Sequence, residues 1–293
     1  MYSERDIKIS DFITIKQYSD DFFKVIYHCS PVRLSGFELL DSSDSSVLLD
    51  CSADSLEFLN DRKLDNNVSR ARNTVFELAY CNDWDWFFTG TLAPRNGDRT
   101  DLNDFRKKFT RFIRNLRSKK GFSINYLLVP ETHFDCQSWH FHGLISGLPF
   151  SELEQFRVGM KMGKGIADKV LRGDLVFDWP RYSRSFGWCD LEPIRNKEAV
   201  SKYLVKYIYK TFDTSRGVTE LYKHLYYCSS GLQRAKVIKK GFPSMRVDEN
   251  LDWQFENEYV KVFSTRDASL INNLCDSLCD LNDFVNGKMK YSV

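Results

Sequence analysis

His140, Phe141 and His142 alternate imidazole, phenyl, imidazole. In an extended chain residues i and i+2 point to one side, so the two imidazoles would stand together with Phe141 turned into the opposite layer. Such a pair is a common holder of a divalent cation, and it also reads as two surface histidines without a ligand. Glu131 lies one short linker upstream and would bring a carboxylate from the neighbouring strand. His133 is a rival third donor, but it falls in the linker itself. Two imidazoles and a carboxylate suit Mg²⁺, Mn²⁺ or Zn²⁺ and leave positions open for a substrate oxygen.

A second group lies at Lys202–Lys210, KYLVKYIYK. Tyr203 and Tyr207 are four residues apart and would share one helix face, with Lys206 and Lys210 on or beside it. Val200, Leu204, Val205 and Ile208 supply the buried side. A helix that packs aromatics and exposes lysines would look similar; the doubled Tyr-x-x-Lys argues for more. A phenol with a pKa of about 10 is a poor nucleophile at neutral pH. Neighbouring ammonium groups and a metal would stabilise its phenoxide and neutralise a phosphate under attack. The products would be a phosphotyrosine and a free 3′-hydroxyl, and the second tyrosine could serve a later transfer.

The elements that must position these groups are legible between them. Trp86–Leu92 reads as an aromatic strand closed by the turn Ala-Pro-Arg-Asn-Gly. Asp101–Lys120 reads as an amphipathic helix, with Leu102, Phe105, Phe109, Phe112, Ile113 and Leu116 on one side and Gly121 ending it. Ser123–Glu131 and Trp139–Ser146 read as strands close enough to form an antiparallel hairpin. Pro149 starts a predicted short helix with Ser151 as N-cap and Glu154 in the capping-box position. Phe186–Ile194 reads as a strand, and Asn196 as the cap of a helix from Lys197 to about residue 212. The first six elements predict an α+β fold: a ferredoxin-like antiparallel sheet with helices on one face. FITIKQY and FFKVIYHCS read as N-terminal strands, residues 66–80 as a helix, and DASLINNLCDSLCDLNDFV as a C-terminal helix.

Charge divides the 293-residue chain. Residues 1–60 carry net −6, residues 61–245 net +12 and residues 246–293 net −4, although the total is only +2. A basic centre between acidic ends suggests a polyanion-binding core with two extensions, and ordinary solvated charge is the plainer reading. We expect an acidic N-terminal extension at 1–60, the basic domain at 61–245 and an acidic helical extension at 246–293. The 42% apolar content excludes a disordered chain, and no apolar run is long enough to span a membrane. The charged start and the eight scattered cysteines predict a cytoplasmic protein with free thiols. Cys275 and Cys279 would sit one helical turn apart.

Three segments in order resemble the HUH endonucleases that initiate rolling-circle replication, named for His–hydrophobic–His. Phe87–Leu92 (FFTGTL) is similar to the first motif, Trp139–Ile145 (WHFHGLI) to the metal-binding motif, and Tyr203–Lys210 (YLVKYIYK) to the two-tyrosine motif of single-stranded DNA phage and related plasmid or prophage initiators. The resemblance covers about residues 70–240. It implies an RRM-like nuclease fold and a Mg²⁺ or Mn²⁺ cofactor held by His140, His142 and Glu131. It makes Tyr207, then Tyr203, the candidate nucleophiles, with Lys206 and Lys210 as phosphate or phenoxide partners. The expected substrate is single-stranded or hairpin origin DNA, nicked to leave protein on the 5′ end. Arg106, Lys107, Arg111, Arg114, Thr89 and Thr91 are expected DNA contacts, as are Arg234, Lys236, Lys239 and Lys240; a host helicase is an expected partner. Trp139, Tyr182 and Trp188 could stack on bases where exposed. No phosphate-binding G-x-x-x-x-G-K-[ST] loop is present; Gly159–Gly165 (GMKMGKG) reads as a basic loop. A transposase or relaxase would use the same groups, and a non-catalytic RRM-like nucleic-acid binder is the alternative from another class.

Overall fold

The structure is a computed structural model and describes residues 4–38, 68–132, 138–214, 224–243 and 251–280. The N-terminal strands are β1 (Glu4–Ile9), β2 (Phe12–Ser19), β3 (Phe22–His28) and β4 (Val32–Glu38). A helical stretch, α1 (68–81), precedes β5 (Trp86–Thr91), α2 (Leu102–Lys120), β6 (Asn125–Thr132) and β7 (Trp139–Ser146). Next come β8 (Glu154–Gln155), α3 (Lys164–Leu171), β9 (Phe177–Asp178), α4 (Pro180–Ser185), β10 (Cys189–Pro193), α5 (Lys197–Thr214) and β11 (Tyr227–Cys228). The last elements are β12 (Lys236–Pro243), β13 (Phe255–Glu256), β14 (Val260–Thr265), α6 (Ala268–Ser277) and β15 (Leu278–Asp280).

The chain forms two compact units. Residues 51–233 make one; residues 1–50 together with 234–293 make the other. The larger unit is built on a seven-stranded sheet in the order β11-β6-β7-β5-β10-β9-β8, with every pairing antiparallel. Its core β6-β7-β5-β10 is the strand order of the ferredoxin-like split β-α-β unit. Asp101 caps α2 by accepting from the Asn103 and Asp104 amides, and Gly121, at φ 71°, ends it in the left-handed region. The buried side of α2 is Phe105, Phe109, Ile113 and Leu116, spaced as a helical face requires. Phe105 stacks on Phe141 of β7 with ring centroids 3.8 Å apart, and Tyr182 of α4 meets Phe88 of β5 edge-on at 5.0 Å. Thus α2 and α4 share one face.

The opposite face is not left bare, which corrects the expectation of helices on one side only. Leu127, Val129 and Leu144 pack there with Val75 and Leu78 of α1 and Leu204 and Ile208 of α5. A second correction concerns Pro149–Leu153. This segment makes one 3₁₀ turn, Ser151 caps nothing, and Glu154 enters β8. The helices between β7 and β10 lie further on, as α3 and α4.

In the smaller unit strands from both chain ends join one sheet, in the order β13-β14-β3-β2-β12-β15. β12 pairs with β2, and β14 with β3. Ile13, Ile15, Phe23, Val25 and Phe263 pack against Ile271 and Leu274 of α6. The acidic segments at the two ends therefore belong to one unit, and Arg234, Lys236, Lys239 and Lys240 belong with them. Leu278 leaves the helix, so Cys275 is helical while Cys279 lies in β15. Among the described residues no helix is long and apolar enough to cross a membrane.

Candidate active site

Register builds the floor of the site. β7 lies between β6 and β5, so Glu131 sits opposite His140 and His140 opposite Thr91. One row along, Val129, His142, Thr89 and Asp190 line up across four strands. The next row is Leu127, Leu144, Phe87 and Glu192. Because side chains alternate along a strand, these rows share one sheet face. Phe87, Thr89, Thr91, His140 and His142 are partly exposed, whereas Phe88, Gly90, Phe141 and Gly143 between them are buried on the α2 side. A Cβ on Gly143 would collide with the Leu127 carbonyl oxygen. A glycine after the second histidine thus lets β6, which carries Glu131, pack closely against β7.

α5 brings the phenols to this floor. Asn196 accepts from the Ala199 amide at 2.9 Å, and Lys197 bonds Asp83 at 2.9 Å. Leu204 and Ile208 seat the helix on the sheet, which turns Tyr203 and Tyr207 towards the histidines. The Tyr207 ring stacks on His142 with centroids 3.7 Å and planes 13° apart. His142 Nε2 lies 2.6 Å from Glu131 Oε2, and its Nδ1 lies 3.5 Å from Thr89 Oγ1. Tyr207 donates its hydroxyl hydrogen to Tyr203 Oη at 2.6 Å. Tyr203 is 44% exposed and leans on Phe87, with centroids 5.5 Å apart. Lys206 Nζ stands 5.8 Å from the centre of the Tyr203 ring.

Burial, then the hydrogen bond to Tyr203 and the charges of Glu131 and Asp190, push the Tyr207 phenol above its ordinary value of 10.0. In this environment the phenol keeps its proton until positive charge arrives. A cationic phosphate-binding group would supply such charge, and so would a metal ion. The donor types of His140, His142 and Glu131 are those a divalent cation accepts, and they share one face. Among the described residues no three His, Cys, Asp or Glu side chains converge on a single point; Glu131 and His142 bond each other directly.

The structure brings His140, His142, Glu131, Thr89, Thr91, Tyr203, Tyr207 and Lys206 to one side of the larger unit. Lys210 lies on α5, and its side chain, like His133, falls outside the described residues. Arg106, Lys107, Arg111 and Arg114 are not part of this group. They are exposed on α2, whose buried side meets the Phe141 layer on the opposite sheet face. Trp139 and Tyr182 are buried, whereas Trp188 is 51% exposed.

Three site residues escape a reading of the sequence. Asp190 and Glu192 of β10 point to the same face as His142, and Lys169 of α3 reaches both, at 3.4 Å and 2.8 Å. Burial raises the Asp190 pKa against the opposing pull of Lys169. Burial alone would lower that of Lys169, but the Glu192 hydrogen bond and the Asp190 charge raise it overall. The i, i+2 spacing of the two acids was the available signal; nothing in the sequence announces their lysine.

Residues 85–212 match the model of the replication-associated protein ORF2 family. The matched stretch runs from β5 through α5 and contains every group of the floor together with both tyrosines. No curated protein and no solved structure matches the chain. The match makes the larger unit similar to replication-associated proteins.

Proposed function

We propose that this chain is a replication initiator of the two-tyrosine HUH type, which nicks single-stranded origin DNA and keeps the 5′ end as a phosphotyrosine. The observation that carries the reading is the stack of Tyr207 on His142 while the same imidazole bonds Glu131. A tyrosine four residues from another, both beside a pair of imidazoles and a carboxylate, has a use in phosphoryl transfer that it lacks in a packing helix. The family match adds the replication context.

In the proposed reaction the phenolic oxygen attacks the scissile phosphorus as the bond from phosphorus to the 3′ oxygen breaks. The phenol loses one proton and the departing 3′ oxygen gains one, so charge and protons balance. His140, His142 and Glu131 would hold Mg²⁺ or Mn²⁺, which supplies Lewis-acid polarisation of a non-bridging phosphate oxygen. Stacking fixes the Tyr207 ring against His142, and the Tyr203 hydroxyl takes its hydrogen bond. Lys206, beside Tyr203, and Lys210 would meet the phosphate charge. Thr89 and Thr91, on the floor, would contact the strand. The second phenol lies within hydrogen-bond reach and would take over the DNA in a later transfer.

The test is incubation with an origin-derived oligonucleotide and Mn²⁺, read as a protein–DNA adduct on a denaturing gel. We expect an adduct that His140→Ala abolishes while most salt-sensitive DNA binding survives. Equal adduct from the Tyr203→Phe/Tyr207→Phe double variant would overturn the nucleophile assignment. A transposase or relaxase would share these steps; the replication-family match favours the initiator.

A further inference from the structure

The floor that carries His142 has a wall on its far side. α5 covers the β6 and β7 side through Leu127, Val129 and Leu144. Beyond β10 the chain leaves β8, runs through residues 156–163, forms α3 and returns as β9. Lys169 ties this arm to the site face through Asp190 and Glu192. Between the two walls lie the partly exposed Phe87, Thr89 and Thr91 of β5. From β7 to β10 is two strand spacings, about 10 Å, which is wide enough for one nucleic-acid strand and too narrow for a duplex.

The arm has the chemistry of a strand holder. Arg157, Lys161 and Lys164 are exposed and have no ion-pair partner among the described residues. Val158 and Met160, between those cations, are 74% and 44% exposed. Cations interleaved with unburied apolar side chains match a ligand that alternates phosphates with flat apolar bases. Trp188 adds an exposed ring at the β10 end of the same floor, where its carbonyl accepts from the Thr91 amide at 2.8 Å and the Thr91 hydroxyl at 2.9 Å.

We propose that residues 156–172 and Trp188 form the second wall of a trough that grips single-stranded DNA beside the phosphate to be cut. Arg157, Lys161 and Lys164 neutralise phosphates, and Trp188 stacks on a base. The proposal rests on the nuclease reading only in taking the bound strand to be the substrate.

Fluorescence anisotropy with a labelled single-stranded oligonucleotide, titrated over a range of salt, tests it. The variants are Arg157→Ala/Lys161→Ala/Lys164→Ala and Trp188→Ala, all at exposed positions, with thermal unfolding midpoints as the folding control. The triple variant should bind on the order of tenfold more weakly at low salt, and its slope of log affinity against log salt should be shallower by about 2. Trp188→Ala should weaken binding several-fold with the slope unchanged. Affinity and slope within twofold of the parent for the triple variant would overturn the trough. The adduct assay on the unsubstituted protein keeps the two readings apart. Weakened binding by the variants with no adduct from the parent retires the nuclease and leaves the trough. A normal parent adduct with unaltered binding by the variants does the reverse.

Discussion

The imidazole of His142 lies face to face with the phenol ring of Tyr207, 3.7 Å apart between centroids and 13° from parallel. One residue comes from the middle of a sheet and the other from a helix that begins more than fifty residues later. The stack leaves the Tyr207 hydroxyl turned to Tyr203, so one phenol is half-buried and the other open to solvent.

This pairing predicts unequal tyrosines. Tyr207→Phe keeps the ring on His142 and removes only the hydroxyl. Adduct formation should fall by about 100-fold or more, as for loss of a reacting group. Tyr203→Phe should cost less, and the double variant should form no adduct. Because burial, Tyr203 and the nearby carboxylates raise the Tyr207 pKa above 10.0, the phenoxide fraction grows with pH throughout the neutral and mildly alkaline range. The single-turnover rate should therefore rise from pH 7 to pH 9 without a plateau. A flat profile between those limits would speak against a protonated Tyr207 as the resting nucleophile.

The placement of α2 gives a contrasting expectation. Its exposed cations lie on the sheet face opposite His142. Replacing Arg106, Lys107, Arg111 and Arg114 together by Gln should leave the saturated nicking rate on a short oligonucleotide within about threefold, since no phosphate at the site reaches them. Loss of that rate by more than tenfold in a folded variant would show that α2 contacts the reacting strand.

The larger unit was legible because its pattern is local. The alternation in Trp86–Thr91, the helical spacing of Phe105, Phe109 and Ile113, and the histidines two apart each define an element and its inner face without outside help. The phenols four apart did the same for α5. What the sequence hid depends on contacts distant along the chain. Lys169 meets Asp190 and Glu192 only because β8 and β9 extend the sheet beyond β10. The acidic ends read as separate extensions, since cross-strand pairing of β2 with β12 leaves no trace in either segment alone. The cations of α2 looked like site residues because charge shows composition, whereas the face they occupy is set by Phe141 beneath them.

His28 in the smaller unit should make stability depend on pH. It stacks on Phe12 at 4.3 Å and contacts Thr14 Oγ1 at 3.1 Å. Burial, followed by the charges of Lys240 and Lys16, lowers its pKa from 6.5 to about 4. The folded protein holds His28 neutral while the unfolded chain takes up a proton below 6.5. Its contribution is complete above that value and is lost as pH falls towards 4. Between pH 7 and pH 5 the loss should be about 2 kcal/mol. Urea unfolding at the two pH values measures it, and His28→Gln should flatten the difference. An equal pH response in parent and variant would exclude the histidine as its source.

Lys169 should matter most where its two acids are charged. Lys169→Met leaves Asp190 and Glu192 side by side on the floor without their cation. Asp190 is buried, and burial already raises its pKa against the pull of Lys169. With that pull gone, the folded variant holds the Asp190 proton more tightly than the unfolded chain does, so its stability relative to the parent improves as pH falls. At pH 7 the substitution should cost about 1–3 kcal/mol, the usual range for a part-buried charge losing its partner. At pH 5 the deficit should be visibly smaller. Denaturant midpoints of parent and variant at both values decide the matter: a deficit that stays constant or grows on acidification would mean that Lys169 acts through packing of its stem and not through the two carboxylates.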